Sequence, residues 1–219
     1  MNQTEQWQFL VIILLNGSPV QLVLSLQVGT SKKDENQMSN EKIKTEPLSK
    51  HTIIKHGPFV GGCVTGVYTT NTAEAVAYQL KHAKSNIAVV DSENQLQKLM
   101  SVRHKLPDLK HIVLYGEEQS YEDEVINWDD FLAMGSRLKD EELKERLEGQ
   151  AINQPAVICY TSGTTANPKG ALLSQDNVTW TCASAVATYN LKEGEEVMIS
   201  YLPVSHIVAQ VSSLLCCEM

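Results

Sequence analysis

The chain has 219 residues, of which 42% are apolar and 20% charged, a balance typical of a soluble globular protein and too apolar for disorder along its whole length. Its formal net charge of −8 repels phosphate backbones, so a nucleic-acid partner is not expected. The five cysteines form no CxxC pair and the six histidines form no HExxH cluster, so we predict reduced structural thiols and no metal site.

Residues 1–57 divide into an apolar part and a polar part. Residues 9–15 and 20–28 are apolar, and turn-forming residues separate them. Neither run reaches the roughly 20 apolar residues of a membrane-spanning helix. Strand-like or unstructured sequence is the preferred interpretation, with peripheral membrane contact or a secretory signal as alternatives. Residues 29–57 are polar without apolar periodicity, so we expect residues 1–57 to be poorly ordered.

From residue 58 onward, predicted strands alternate with predicted helices. Asn71 and Glu74 have the spacing of a capping box, which predicts a helix from this point, and Asp176 or Asn177 is expected to cap a later one. This alternation predicts an α/β fold with a layered sheet. The predicted strands are 61–69, 86–90, 110–115, 156–160, 171–173 and 196–201, and the other predicted helices are 92–103, 128–138, 140–147 and 207–217.

The loop between the strands 156–160 and 171–173 has an unusual composition. Thr161, Ser162, Thr164 and Thr165 place four hydroxyls within five residues, and Gly163 permits the backbone amides to converge on an anion. Pro168 stiffens the exit of this loop, and Lys169 supplies a positive charge. The loop is not a Walker A motif, because Pro168 and Gly170 stand where glycine and a hydroxyl residue are required. Composition alone also permits a hairpin connection without a ligand.

The order of residues 161–170, Thr-Ser-Gly-Thr-Thr-Ala-Asn-Pro-Lys-Gly, resembles the phosphate-loop motif of AMP-forming acyl-CoA and aryl-CoA synthetases, luciferases and peptide-synthetase adenylation domains. The stretches 68–74, 94–98, 173–180 and 200–206 resemble bubblegum-type long-chain acyl-CoA synthetases. The resemblance covers residues 59–215, and residues 1–56 do not share it. An aryl-activating or peptide-synthetase member of the superfamily is the alternative.

The resemblance implies a reaction, its substrates and a set of site residues. Residues 58–219 would be a partial copy of the AMP-binding domain, the large N-terminal domain of adenylate-forming enzymes. Such enzymes join a long-chain fatty acid to coenzyme A, using ATP with Mg²⁺ and releasing AMP and pyrophosphate. His206 corresponds to a residue that lines the acyl pocket. The residues expected to contact the ATP phosphates are Thr161, Ser162, Gly163, Thr164, Thr165 and Lys169.

Two departures from the family pattern bear on activity. Ala166 stands where glycine is usual, which would strain the loop if this position requires a positive φ. The C-terminal lid domain with its catalytic lysine has no counterpart in this sequence, so no complete catalytic set is expected and the chain should be inactive alone. A non-catalytic ATP-binding or polyphosphate-binding fragment and an inert product are the alternatives. We expect a cytoplasmic protein, with peripheral contact at the endoplasmic reticulum membrane as an open possibility.

Overall fold

The computed structural model describes the backbone of residues 9–14 and, further along the chain, residues 61–115, 120, 122–135, 140–161, 167–192, 202–203 and 205–211. Seven described strands form one sheet in the order β5-β4-β3-β1-β2-β6-β7. The strands are β1 (Phe9–Leu14), β2 (Cys63–Tyr68), β3 (Ile87–Val90), β4 (His111–Leu114), β5 (Val125–Asn127), β6 (Pro155–Thr161) and β7 (Lys169–Ser174). The helices are α1 (Ala73–His82), α2 (Glu93–Ser101), α3 (Trp128–Gly135), α4 (Asp140–Glu148) and α5 (Gln175–Tyr189), with a 3₁₀ turn at Arg103–Lys105.

Five of these strands run in the same direction. β2 is parallel to β6, while β3, β4 and β5 are parallel to one another. β1 pairs antiparallel with both β2 and β3, which gives β2 and β3 a common direction. The carboxyl ends of β2 to β6 therefore lie at one edge of the sheet, where ligands bind in open α/β sheets. The prediction of a layered α/β fold is confirmed.

The strand β1 lies in the middle of the sheet. Its pairing with β2 runs from Phe9 opposite Tyr68 to Leu14 opposite Cys63, and its other side pairs with β3 at Val11–Ile13. Its continuous apolar sequence is typical of a strand covered on both faces. These six residues are the described part of residues 1–57, and they form a strand, in line with the strand-like interpretation of the apolar run 9–15.

The core fills the space between α1, α2 and one face of the sheet. The apolar positions of α1 and α2 recur at helical spacing, so they pack on strand residues that alternate in and out. The buried cluster combines Val76, Ala77 and Leu80 of α1 and Leu96 and Leu99 of α2 with Val67, Ala88, Val90, Ile112 and Leu114 of the strands. On the other face, Trp128 and Phe131 of α3 are buried, and the Trp128 ring meets that of Tyr115 edge to face at 4.7 Å.

Two predicted helix caps are wrong by one or more residues. Helix α1 is capped by Thr72, whose hydroxyl accepts from the Ala75 amide at 3.3 Å. The predicted cap, Asn71, lies in the preceding turn and donates its backbone N–H to the Tyr68 carbonyl. Helix α5 is capped by Ser174, and Asn177 closes a capping box by accepting from the Ser174 amide. Both errors arise because several adjacent residues have side chains suited to the same cap.

Several predicted elements differ in extent. The strand β5 is absent from the predicted strands, because its three residues are too few to show an apolar alternation. The predicted strand 196–201 lies outside the described residues, and the predicted helix 207–217 is described over 207–211, where it is helical. None of the helices in the described ranges is long and apolar enough to cross a membrane.

Candidate functional site

A hairpin at the carboxyl edge of the sheet holds the two ends of the predicted phosphate loop. β6 and β7 are antiparallel, and their last described pair is Thr161 opposite Lys169. The Thr161 hydroxyl is 3.5 Å from the Lys169 carbonyl oxygen, a long hydrogen bond across the neck of the loop. Both residues are exposed, so their hydroxyl and ammonium groups are accessible from solvent. The four predicted contacts between them, Ser162, Gly163, Thr164 and Thr165, lie outside the described residues, as does Ala166.

The side chains of Thr161 and Lys169 point to the same face of the sheet. Paired residues of an antiparallel ladder share a face, and residues two apart on one strand do as well, so Cys159 joins them. The Cys159 thiol contacts the backbone of Ile207, in the segment that follows His206. The structure thus brings three of the predicted site residues, Thr161, Lys169 and His206, to one side of β6.

The segment containing His206 lies close to the sheet because β2 has a glycine at its centre. A Cβ atom added at Gly66 would lie 2.4 Å from Ser205 Cα, closer than any real contact. Ser205 is 5% exposed, and the neighbouring Ala209 is also 5% exposed. A glycine inside a strand of β-branched residues is a sequence signal for such a close approach, and it is a signal that our sequence interpretation missed.

His206 begins the short helix 207–211. Its Nδ1 accepts from the Val208 amide at 3.2 Å, and its carbonyl oxygen accepts from the amides of Ala209 and Gln210 at 3.0 and 3.2 Å. This local hydrogen bond makes Nδ1 an acceptor, so the neutral ring carries its proton on Nε2. The half-buried imidazole is therefore a helix cap in this structure, with Nε2–H as its remaining donor.

Tyr160 lies on the opposite face of the hairpin and was missed by the sequence analysis. Its phenol oxygen is 2.8 Å from His82 Nδ1 and donates to the Gln79 carbonyl at 3.1 Å, which ties β6 to α1. Burial raises the pKa of Tyr160 to about 12, with smaller contributions from Tyr78 and Cys63. The phenol is therefore neutral near pH 7 and can both donate and accept a hydrogen bond. A tyrosine at the end of an apolar strand is a signal, because its hydroxyl needs a partner when buried.

None of the three cysteines that the structure describes, Cys63, Cys159 and Cys182, forms a disulfide. Burial raises the pKa of Cys63 to about 11, and burial also raises the pKa of Cys159, although the backbone hydrogen bond from Ile207 opposes it. Cys182 is buried in α5. Within the described ranges, no group of three or more histidine, cysteine, aspartate or glutamate side chains is placed to hold a metal ion.

Comparison with known proteins identifies the family to which the sequence is similar. The profile of the AMP-binding enzyme family matches residues 58–219. The long-chain-fatty-acid–CoA ligase ACSBG2 of Xenopus laevis is 43% identical over 156 residues, which cover 69% of this chain and 21% of the relative. The human ligase of the same name is 41% identical over 155 residues, covering 70% of this chain and 23% of that protein. The chain therefore spans about a fifth of the length of the curated relatives it matches.

Solved structures share the fold at low sequence identity. The chain is similar to the didomain of a carboxylic acid reductase from Segniliparus rugosus in complex with AMP, with a TM-score of 0.62 and 12% identity over 91% of this chain and 31% of that one. It is also similar to a luciferase-like enzyme from the mealworm Zophobas morio, with a TM-score of 0.56 and 17% identity over 90% of this chain and 45% of that one. Since the family profile matches well over half of its residues, this chain belongs to the AMP-binding enzyme family, as the resemblance of residues 161–170 predicts.

Proposed function

We propose that this chain carries the phosphate-binding hairpin of an AMP-forming ligase for long-chain fatty acids. In that reaction a carboxylate oxygen of the fatty acid attacks the α-phosphorus of ATP, the bond from this phosphorus to the bridging oxygen breaks, and pyrophosphate leaves. The coenzyme A thiol then loses its proton to water, its sulfur attacks the acyl carbonyl carbon, and AMP leaves with the electron pair of the broken acyl–phosphate bond. The first step builds negative charge on pyrophosphate, so donors aimed at the β- and γ-phosphates lower its barrier.

The observation that supports this proposal is the position of Thr161 and Lys169. They form the neck of a hairpin at the edge of the sheet where five strands present their carboxyl ends, and both are exposed. The chain as a whole has a net charge of −8, so an anion site must be built from local donors. A lysine, four hydroxyls and the loop amides are such donors, and each hydrogen bond to a charged oxygen contributes about 1.5–3 kcal/mol.

His206 is the proposed contact with the acyl group. The contacts of Ile207 with Cys159 and of Ser205 with Gly66 hold this residue on the same side of β6 as Lys169. Its imidazole is half-buried and its Nδ1 is used in the helix cap, so the ring presents a carbon edge and one N–H. Such a group suits a pocket wall better than a proton acceptor.

Mg²⁺ would arrive with the triphosphate. No carboxylate cluster among the described residues fits the ion by itself, so the proposed contribution of this chain is to the phosphate oxygens. When bound, Mg²⁺ neutralises charge on those oxygens. A long-chain fatty acid and coenzyme A are proposed substrates because the ligases that share 41–43% identity with this chain are named for them, and ATP is proposed because the chain belongs to the AMP-binding enzyme family.

Calorimetric titration with MgATP tests the proposal. The wild-type chain is expected to bind, and Lys169→Ala should weaken binding by roughly 10- to 100-fold, the effect of one hydrogen bond to a charged oxygen. Lys110→Ala is the matched control, because it removes the same charge just before the amino end of β4, at the other edge of the sheet. No heat with MgATP in the wild-type chain, or equal affinities of the two variants, would contradict the proposal.

A further inference from the structure

Both ends of the phosphate loop are attached to α1. At the entry, the Tyr160 hydroxyl lies 2.8 Å from His82 Nδ1 and donates to the Gln79 carbonyl oxygen at 3.1 Å. At the exit, the Tyr78 hydroxyl donates to the Pro168 carbonyl oxygen at 3.3 Å. Tyr160 directly precedes Thr161, and Pro168 directly precedes Lys169, so each attachment is one residue away from a proposed phosphate contact.

The three rings pack in a row across α1 and the hairpin. Tyr78 and His82 are stacked, with centroids 5.7 Å apart and planes inclined by 22°. His82 meets the Tyr160 ring edge to face, also at 5.7 Å. Gly170 lies opposite Tyr160 in the β-ladder, and a Cβ there would be 2.9 Å from Ile158 Cγ2 and 3.3 Å from Tyr160 Cε1. The glycine therefore leaves room for the Tyr160 ring beside β7.

The hydrogen bonds of Tyr160 can be satisfied in two ways. When the phenol donates to the Gln79 carbonyl, His82 must carry a proton on Nδ1 and donate it to the phenol oxygen. When the phenol donates to His82 instead, the Gln79 carbonyl still accepts from the Ala83 amide at 2.9 Å. The Tyr160 hydroxyl, His82 Nδ1 and the Gln79 carbonyl oxygen each have a partner in either arrangement, so the contact between α1 and β6 is retained in both.

We propose that Tyr78, His82 and Tyr160 form a brace that fixes both ends of the phosphate loop against α1 before a nucleotide binds. Tyr78 and Tyr160 are positioning residues in this proposal, since neither needs to touch the phosphates. The inference rests on the proposed function of the loop. A loop whose two ends are already fixed loses less conformational entropy when it binds an anion.

The test removes single hydroxyls from the brace and keeps the rings. Tyr78→Phe and Tyr160→Phe should each weaken MgATP binding by about fivefold, the effect of one neutral hydrogen bond, when measured well below the melting temperature. His82→Leu should have a similar effect, and His82→Asn should restore affinity, because its amide can replace Nδ1. Tyr189→Phe is the matched control, since Tyr189 is 74% exposed on α5.

Amide hydrogen exchange measured without nucleotide tests the brace independently of the proposed nucleotide site. In the Tyr78→Phe and Tyr160→Phe variants, amide exchange in peptides covering 161–170 should become about fivefold faster. Peptides covering 87–101 should exchange at the wild-type rate. Wild-type exchange rates at residues 161–170 in both variants would overturn the brace. Equal acceleration in the peptides covering 87–101 would also overturn it, because it would indicate general destabilisation. If the wild-type chain does not bind MgATP, the proposed function fails, and the exchange result still decides whether the brace fixes the loop.

Discussion

Gly66 and Ser205 approach so closely that a side chain at position 66 cannot be accommodated, because a Cβ atom there would lie 2.4 Å from Ser205 Cα and 2.8 Å from its Cβ. Gly66 is at the centre of β2, and Ser205 immediately precedes His206. The position of His206, the proposed acyl-pocket residue, relative to the sheet thus depends on the absence of a side chain at residue 66.

Gly66→Ala is expected to lower the free energy of unfolding by about 1–3 kcal/mol, the cost of an overpacked core position, or to displace residues 202–211 from the sheet. Thermal unfolding and hydrogen exchange of that segment measure the two outcomes. Gly149→Ala is the control, because its nearest contact would be the Glu145 carbonyl oxygen at a milder 3.2 Å. Two variants of equal stability, with the segment still protected, would show that the close approach does not hold His206 in place.

The central position of β1 leads to a second prediction. Ile12 pairs with Thr65 on one side and Ala88 on the other, so Ile12→Pro removes a backbone donor from the middle of the sheet. We expect a loss of about 3 kcal/mol or more, seen as loss of a cooperative thermal transition. Ser39→Pro, in the polar segment expected to be poorly ordered, should leave the transition unchanged. A cooperative transition in Ile12→Pro at the wild-type temperature would mean that β1 is dispensable.

Ala166 is the residue at which the loop departs from the family pattern. If its position requires a positive φ, Ala166→Gly should tighten MgATP binding by about fivefold, since the left-handed conformation costs alanine roughly 1 kcal/mol more than glycine. Titration calorimetry gives the ratio directly. An unchanged affinity would count against strain at this position.

The raised pKa of Cys63 predicts slow alkylation. At pH 8, about one-tenth of a thiol with the ordinary pKa of 9.0 is thiolate, whereas a pKa of about 11 leaves about one-thousandth as thiolate. Iodoacetamide should therefore modify Cys63 roughly 100-fold more slowly in the folded chain than in guanidinium chloride. Because burial favours the neutral form, this protection should diminish as the pH rises from 9 toward 11. Mass-spectrometric mapping measures the rate, and equal rates in folded and unfolded chain at pH 8 would contradict the burial of Cys63.

The local elements could be predicted from the sequence because their signals are local. Apolar runs such as Ile87–Val90 and helical spacing in Glu93–Ser101 identify strands and helices without knowledge of their partners. The position of β1 could not be predicted in this way, since its partners β2 and β3 lie far along the chain and its sequence alone does not select them.

The sequence pointed to two residues of the candidate site that the structure places opposite each other. The order of residues 161–170 indicated Thr161 and Lys169, and the pairing of β6 with β7 brings these two together. The contact between His82 and Tyr160 joins residues 78 positions apart and depends on how α1 lies across the sheet. No short sequence motif identifies such a contact, so it could be found only from the structure.

The central claim is that the hairpin between β6 and β7 holds the triphosphate of ATP. The most direct measurement compares the affinities of the wild-type chain for AMP, ADP, ATP and inorganic tripolyphosphate, each with Mg²⁺, by titration calorimetry. The account predicts that affinity rises with the number of phosphates, that tripolyphosphate displaces ATP, and that Lys169→Ala removes most of this dependence. AMP binding as tightly as ATP, with no competition from tripolyphosphate, would contradict it.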